Sequence, residues 1–180
     1  WNRIGSLNKL GRNKRSLTLD LKKEEARHIF KELIREVDVV IENFQPRVLP
    51  QLGLGFDQLS ALNPSLIYTS ISGYGVTGPH ANRAALGPTI EAESGAAFLQ
   101  GYPDSGPYRS GVAWADPLAG LHAVAATLVA LNDRACDPEP RSRLVEISML
   151  ESALAILGDP LSTAQKQKKN PMRKANRDSS

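Results

Sequence analysis

Asp116 is a candidate nucleophile near the start of a long apolar segment, WADPLAGL, which spans residues 114–121. Its side chain has two interpretations. As a structural residue, Asp116 caps a helix whose first residue is Pro117, because both residue types are favoured at those positions. As a catalytic residue, Asp116 is a carboxylate that the positive end of a helix keeps ionised and that attacks an acyl group. Taken alone, these residues favour the structural interpretation, since Asp-Pro helix starts are common.

Three other segments each follow a predicted strand directly and together carry the side chains that a nucleotide site needs. The first supplies a cation and a turn-forming backbone, the second an amide and an aromatic ring, and the third glycines that let a ligand approach the main chain. In open α/β sheets, ligands bind beyond the carboxyl ends of the strands. The segments are Leu19-Asp20-Leu21-Lys22, Glu42-Asn43-Phe44-Gln45-Pro46 and Ser72-Gly73-Tyr74-Gly75. Ordinary strand-end turns are the alternative explanation for each.

Other kinds of site lack their sequence signatures. The chain has no GxxxxGK[ST] loop, no GxGxxG segment that opens a helix and no GxSxG elbow, which disfavours the common triphosphate, dinucleotide and serine-hydrolase sites. The three histidines lie far apart in the sequence, and with a single cysteine they give no metal-ligand spacing, so we predict no metal site. Glu91 and Glu93 point in different directions on a helix, and we expect capping or solvation for both.

The segments that must position these side chains alternate between strand and helix patterns. Strands are predicted over residues 16–19, 37–41, 66–71 and 144–147. Helices are predicted over residues 22–36, 47–52, 57–62, 89–99, 116–131 and 149–157. Such alternation is typical of the α/β class, with an open, mostly parallel sheet and helices on both faces.

The composition is that of a globular protein with unevenly placed charge. The 180 residues are 41% hydrophobic and 23% charged, with a net charge of +3, which suits one domain with a sizeable core. Basic residues concentrate in residues 1–15 and 166–177, whereas acidic residues outnumber basic ones between them. The basic tail has no aromatic residue to stack on bases, so we predict no nucleic-acid partner.

The apolar run over residues 117–131 is too short to span a bilayer. We therefore predict a buried core helix there and no membrane association. Cys136 is the single cysteine, which excludes an intrachain disulfide and fits a reducing compartment, the cytoplasm.

Eight motifs occur in chain order over residues 13–151. They are NKRSLTLDLK (13–22), DVVIENFQP (38–46), LGLG (52–55), NPSLIY (63–68), SGYGVTGP (72–79), EAESG (91–95), Asp116 with Gly120, and VEISM (145–149). This series resembles the family III CoA-transferases of the CaiB/BaiF type, which include formyl-CoA and carnitine CoA-transferases and have the α-methylacyl-CoA racemases as relatives. The motifs are specific for the family and not for a substrate.

The resemblance implies a CoA-transferase in which Asp116 is the catalytic nucleophile. Asp116 would attack the thioester of an acyl-CoA and pass through an aspartyl-CoA intermediate, and a carboxylic acid acceptor would then take the CoA. Coenzyme A is then a substrate, and no cofactor is bound permanently. The family's CoA contacts fall on Leu19, Asp20, Leu21, Lys22, Asn43 and Phe44, with Arg15 beside the phosphates.

The chain also departs from the family. Gly87 stands where the racemases carry an acid/base His, which disfavours racemization because Gly cannot shuttle a proton, and Arg47 stands where the family usually has Gly.

Family members are more than twice as long and form interlocked homodimers. We therefore expect a partial CoA-binding and catalytic domain over residues 1–165, and over residues 166–180 a truncated linker towards a second domain. An α-methylacyl-CoA racemase-like isomerase and a non-catalytic CoA-binding or dimerisation fragment remain as alternatives.

Overall fold

Three parallel strands and nine helices form the part of the chain that this computed structural model describes, which comprises residues 5–175 and Arg177. The strands are β1 (Val39–Glu42), β2 (Ile67–Ser72) and β3 (Arg143–Ser148). The helices are α1 (Gly5–Leu10), α2 (Glu24–Glu36), α3 (Val48–Gln51), α4 (Phe56–Leu62), α5 (Gly87–Glu93), α6 (Ala96–Leu99), α7 (Ala115–Cys136), α8 (Met149–Ile156) and α9 (Gly158–Gln167).

The sheet has the order β1-β2-β3, and both strand pairs are parallel. Ile67 at the start of β2 pairs with Val39 on one side and Arg143 on the other, and Ser72 at its end pairs with Ser148. Parallel neighbours need long crossover connections, which α3 with α4 and α5 to α7 provide. The carboxyl ends of all three strands therefore lie at one edge. The predicted α/β class, with an open parallel sheet, is confirmed.

Helices cover both faces of the sheet. Successive side chains of a strand point to opposite faces, so Tyr68 and Ile71 of β2 belong to different cores. Tyr68 packs in the first core with Ile34, Leu49, Leu54, Leu59 and Leu66. Ile71 packs against the second core, which contains Ile90, Ala115, Ala119, Met149 and Ala153. Full burial of one large aliphatic side chain contributes about 1.5–3 kcal/mol to folding, so the two cores fix the helices around the sheet.

Two predicted elements differ from the structure. Residues 16–19 form no strand, and Leu17 is 62% exposed. A strand exists only where its backbone groups find a neighbour, and the local sequence pattern carries no information about that neighbour. The helix predicted over residues 89–99 is interrupted between α5 and α6, because Gly95 takes a left-handed conformation with φ of 85°.

Helix α7 extends to Cys136 and is buried on one face only. The buried face carries Ala119, Ala123, Thr127 and Ala130. The opposite face carries exposed apolar side chains, namely Leu121, Val124, Leu128 and Val129. The predicted core helix is therefore buried on one face, whereas its other apolar face is exposed. Within residues 5–175 and 177, no helix combines the length and the apolar character needed to cross a membrane.

Candidate functional site

Asp116 is the second residue of α7, and it is exposed. The helix begins at Ala115 with Trp114 as its N-cap residue, so the interpretation of Asp116 as the cap is wrong. The side chain still lies within the first helical turn, close to the unpaired N–H groups and the positive end of the helix dipole. Asp116 thus combines access from solvent with a local field suited to negative charge.

A cavity of about 240 Å³ opens beside Asp116 at the carboxyl-terminal edge of the sheet. Segments that follow all three strands line it: Asn43 and Phe44 after β1, Gly73 after β2 and Met149 after β3. The structure therefore brings three predicted site residues, Asp116, Asn43 and Phe44, to one cavity. Its other lining residues are Gln45, Pro46, Ser72, Ala81, Arg83, Ala84, Ala85 and Leu86.

The loop that presents Asn43 and Phe44 is held by side-chain hydrogen bonds. The buried Glu42 carboxylate accepts one from the backbone N–H of Phe44 at 2.7 Å and another from the Ser70 hydroxyl. The Asn43 amide donates to the carbonyl oxygen of Ile71 at 2.8 Å. These bonds fix the loop to β2 and leave the Phe44 ring 49% exposed, so one aromatic face is open to a ligand. Burial and the Glu42 carboxylate also raise the pKa of Tyr68.

The other predicted CoA-binding residues do not line this cavity. Residues 19–22 form a turn in which the Asp20 carboxylate accepts from the Lys22 N–H at 3.2 Å. Arg27 donates to the carbonyl oxygens of Leu21 at 3.1 Å and of Lys22 at 2.8 Å. The Leu21 side chain packs against the first core, Leu19 is half-buried, and Arg15 lies in an exposed irregular segment.

Glu91 is a site residue that sequence reasoning missed. The side chain is fully buried on α5, so the expectation of solvation is wrong. Its carboxylate accepts hydrogen bonds from the Ser110 hydroxyl at 2.7 Å and from the backbone N–H of Trp114 at 3.2 Å. Glu91 thereby ties α5 to the residue directly before α7, two positions from Asp116. No local pattern marks this role, because the contacts span about twenty residues of sequence.

Arg83 is the single basic side chain among the cavity-lining residues that the structure describes. Its guanidinium forms an ion pair with the Glu93 carboxylate, with 2.8 Å between Nη2 and Oε1, and lies 5.6 Å from the ring centroid of Tyr74. Burial and the Glu93 carboxylate raise the pKa of Tyr74, although the charge of Arg83 opposes that shift. The arrangement holds a cation at the cavity that also contains Asp116. The cavity lining thus contains the Asp116 carboxylate and a guanidinium that is ion-paired with Glu93.

Comparison with known proteins agrees with this geometry. The family model for CoA-transferase family III matches residues 4–180. A succinyl-CoA–D-citramalate CoA-transferase from Chloroflexus aurantiacus is 40% identical over 148 residues, and an acetyl-CoA:oxalate CoA-transferase from Acetobacter aceti is 36% identical over 169 residues. The crystal structure of a CAIB/BAIF family protein from Brucella suis superposes with a TM-score of 0.83 at 38% sequence identity.

The matches cover most of this chain but less than half of each relative. The aligned regions are 82%, 93% and 89% of this chain, and 36%, 43% and 42% of the Chloroflexus, Acetobacter and Brucella proteins, respectively. The family match, the parallel sheet and the cavity at its carboxyl-terminal edge are consistent with one another. The chain therefore belongs to CoA-transferase family III.

Proposed function

We propose that the protein containing this chain transfers coenzyme A from an acyl-CoA to a carboxylic acid, with Asp116 as the nucleophile. One observation carries the proposal: the exposed Asp116 carboxylate lines the same cavity as Asn43 and Phe44. A nucleophile and a ligand-facing aromatic loop thus meet where open α/β sheets bind their ligands. The names of the relatives support the same reaction class.

The reaction proceeds by covalent exchange at Asp116. A carboxylate oxygen attacks the thioester carbonyl carbon of the donor, the carbon–sulfur bond breaks, and CoA leaves as a thiolate. The thiolate then attacks the Asp116 carbonyl carbon of the mixed anhydride, releasing the donor acid and leaving an aspartyl-CoA thioester. The acceptor carboxylate attacks that thioester and expels the thiolate. The thiolate finally attacks the acceptor carbonyl carbon of the new anhydride, which yields the acceptor's CoA ester and restores the Asp116 carboxylate.

The position of Asp116 in the first turn of α7 supports this chemistry. A helix N-terminus stabilises a nearby negative charge by about 0.3–1 kcal/mol when exposed and up to about 2 kcal/mol when partly buried. That magnitude is small beside the about 8–23 kcal/mol by which enzymes lower activation barriers. The remaining stabilisation must come from orientation of the substrate and from hydrogen-bond donors around the acyl oxygen.

Coenzyme A would place its acyl end beside Asp116 and its nucleotide against the Asn43–Phe44 loop, which forms another part of the cavity lining. The cavity of about 240 Å³ is smaller than the about 300–1,000 Å³ of sites that enclose a whole small-molecule ligand. We assign the nucleotide to the Asn43–Phe44 loop, with Arg15 and residues Leu19, Asp20, Leu21 and Lys22 as further CoA contacts. The family resemblance supports the latter group.

We further propose a short dicarboxylic acid as the acceptor. D-citramalate and oxalate, the acids in the names of two relatives, both carry two carboxylates. One carboxylate would react at Asp116 while Arg83, the cation at the same cavity, pairs with the other. An arginine guanidinium matches a carboxylate in a two-bond geometry.

Racemization is the weaker alternative, because α5 presents Gly87 beside Asp116. Moving a proton on and off a substrate carbon needs a second titratable side chain at the reacting atom, and glycine offers none.

Residues 1–165 would form the catalytic domain and residues 166–180 a linker. A homodimer of the whole protein is the assembly that the family resemblance supports.

Exchange of label between an acyl-CoA and its free acid tests the reaction. Incubation of the protein containing this chain with succinyl-CoA and ¹⁴C-succinate should move label into the CoA ester, and Asp116→Asn should abolish this exchange. Tight binding of CoA without exchange would identify a non-catalytic CoA-binding protein. Incorporation of deuterium from solvent at the α-carbon of a 2-methylacyl-CoA, without any acceptor acid, would identify a racemase.

A further inference from the structure

Ser72 is a buried serine that lines the cavity containing Asp116. It is the last residue of β2, it is 3% exposed, and it lines the cavity together with Gly73 and Asp116. Within residues 5–175 and 177, its Oγ has no hydrogen-bond partner. Buried polar groups in folded proteins are paired in the large majority of cases, so this hydroxyl requires an explanation.

The other buried serine and threonine hydroxyls of the same strand are paired. Thr69 Oγ1 lies 2.7 Å from Thr127 Oγ1, and the Ser70 hydroxyl donates to the Glu42 carboxylate. Ser148, which pairs with Ser72 across the sheet, accepts from the N–H of Glu151 at 3.3 Å. Among the serine and threonine hydroxyls of the three strands, the unpaired state is therefore particular to Ser72 and does not follow from burial in the sheet alone.

We propose that the Ser72 hydroxyl donates a hydrogen bond to the acyl oxygen of the substrate while Asp116 attacks the acyl carbon. This inference rests on the proposed acyl transfer. When a carboxylate oxygen adds to a thioester carbonyl, the electron pair of the carbonyl bond moves to its oxygen, and that negative charge needs a donor. A serine O–H can donate one hydrogen bond and can rotate towards its acceptor. A donor without an internal partner gives up no bond when the substrate arrives.

The test compares Ser72→Ala with Thr69→Val, a matched change at a paired hydroxyl of the same strand. Rapid mixing with acyl-CoA gives the rate constant of Asp116 acylation, steady-state kinetics give kcat and KM, and thermal unfolding gives Tm. For Ser72→Ala we expect acylation and kcat to fall about 100-fold, with KM and Tm little changed. For Thr69→Val we expect the reverse, a lower Tm and an unchanged acylation rate, because Thr127 loses its partner.

The outcomes separate this inference from the proposed function. If the wild type is acylated and Ser72→Ala reacts at the same rate, the Ser72 assignment alone is overturned. A Ser72→Ala variant in which only KM or only Tm changes would overturn it as well. A wild type that forms no aspartyl adduct would overturn both. If Ser72→Ala does not fold, Ser72→Cys keeps the size with a weak donor, and its acylation should be slower than wild type. A wild-type rate in that variant would equally overturn the assignment.

Discussion

The Asp116 carboxylate lies against the α-carbon of Gly87, at a distance that leaves no room for a side chain. A β-carbon at position 87 would stand 1.9 Å from Asp116 Oδ2 and 3.0 Å from the β-carbon of Ala113. Gly87 is the first residue of α5 and Asp116 the second residue of α7. The position of the Asp116 carboxylate is thus set by the close approach of two helix N-termini, and glycine at position 87 permits that approach.

Gly87→Ala should therefore displace the Asp116 carboxylate. The added methyl group must push away a side-chain oxygen, which moves more easily than backbone, so the fold and Tm should be retained. Misplacement of a reacting group by about 1 Å can lower a rate about 100-fold, and we expect a loss of that order in Asp116 acylation. Single-turnover kinetics with acyl-CoA measures it. An acylation rate equal to wild type would show that the nucleophile does not need this contact.

Glu91 should act through the start of α7 and not through the substrate. Glu91→Leu removes one of two acceptors of the Trp114 N–H and of the Ser110 hydroxyl, which both also donate to the carbonyl oxygen of Val112, and each lost hydrogen bond costs about 0.5–1.5 kcal/mol. We expect a lower free energy of unfolding and a slower acylation of Asp116. Glu91→Gln keeps an amide oxygen for Trp114, so it should recover most of both. Chemical denaturation and single-turnover kinetics provide the two readouts, and equal effects of Gln and Leu would contradict the role.

Arg83 should discriminate between acceptor acids. Arg83→Gln removes the cation, and a hydrogen bond to a charged group contributes about 1.5–3 kcal/mol, so KM for a dicarboxylate should rise about tenfold or more. KM for a monocarboxylate of similar size should stay the same. Arg83→Lys keeps the charge but not the two-bond geometry and should lie between. Arg109→Gln, an exposed arginine outside the cavity lining, is the control. A rise in KM for acyl-CoA alone would assign Arg83 to the phosphates.

Phe44 should bind the nucleotide of CoA by stacking. Its ring is 49% exposed on a loop fixed by Glu42 and Asn43, so Phe44→Ala should leave Tm nearly unchanged. Stacking of a base on an aromatic side chain contributes about 1–3 kcal/mol, which corresponds to a Kd for CoA raised about fivefold to 150-fold. Isothermal titration calorimetry measures the change. Tyr108→Ala, at another exposed aromatic residue, should bind CoA like wild type, and a wild-type Kd for Phe44→Ala would exclude stacking there.

Sequence patterns predicted the parallel sheet because runs of strand length, such as residues 37–41 and 66–71, alternate with helical patterns. The strand-end rule also predicted a ligand site at Asn43 and Phe44, whereas the place of Asp116 in that site came from the family resemblance. Three features depended on distant residues and were missed. Residues 16–19 have no strand partner, Asp116 is not the cap because α7 begins at Ala115 and not at Pro117, and Glu91 is buried through contacts with Ser110 and Trp114.

The central claim is that Asp116 becomes covalently acylated, and peptide mass spectrometry after hydroxylamine trapping tests it most directly. The protein containing this chain is mixed with acyl-CoA, quenched with hydroxylamine and digested. We expect a hydroxamate on Asp116 in the wild type and no hydroxamate in Asp116→Asn. A wild type with an unmodified Asp116, or with the hydroxamate on another carboxylate such as Glu93, would contradict the account.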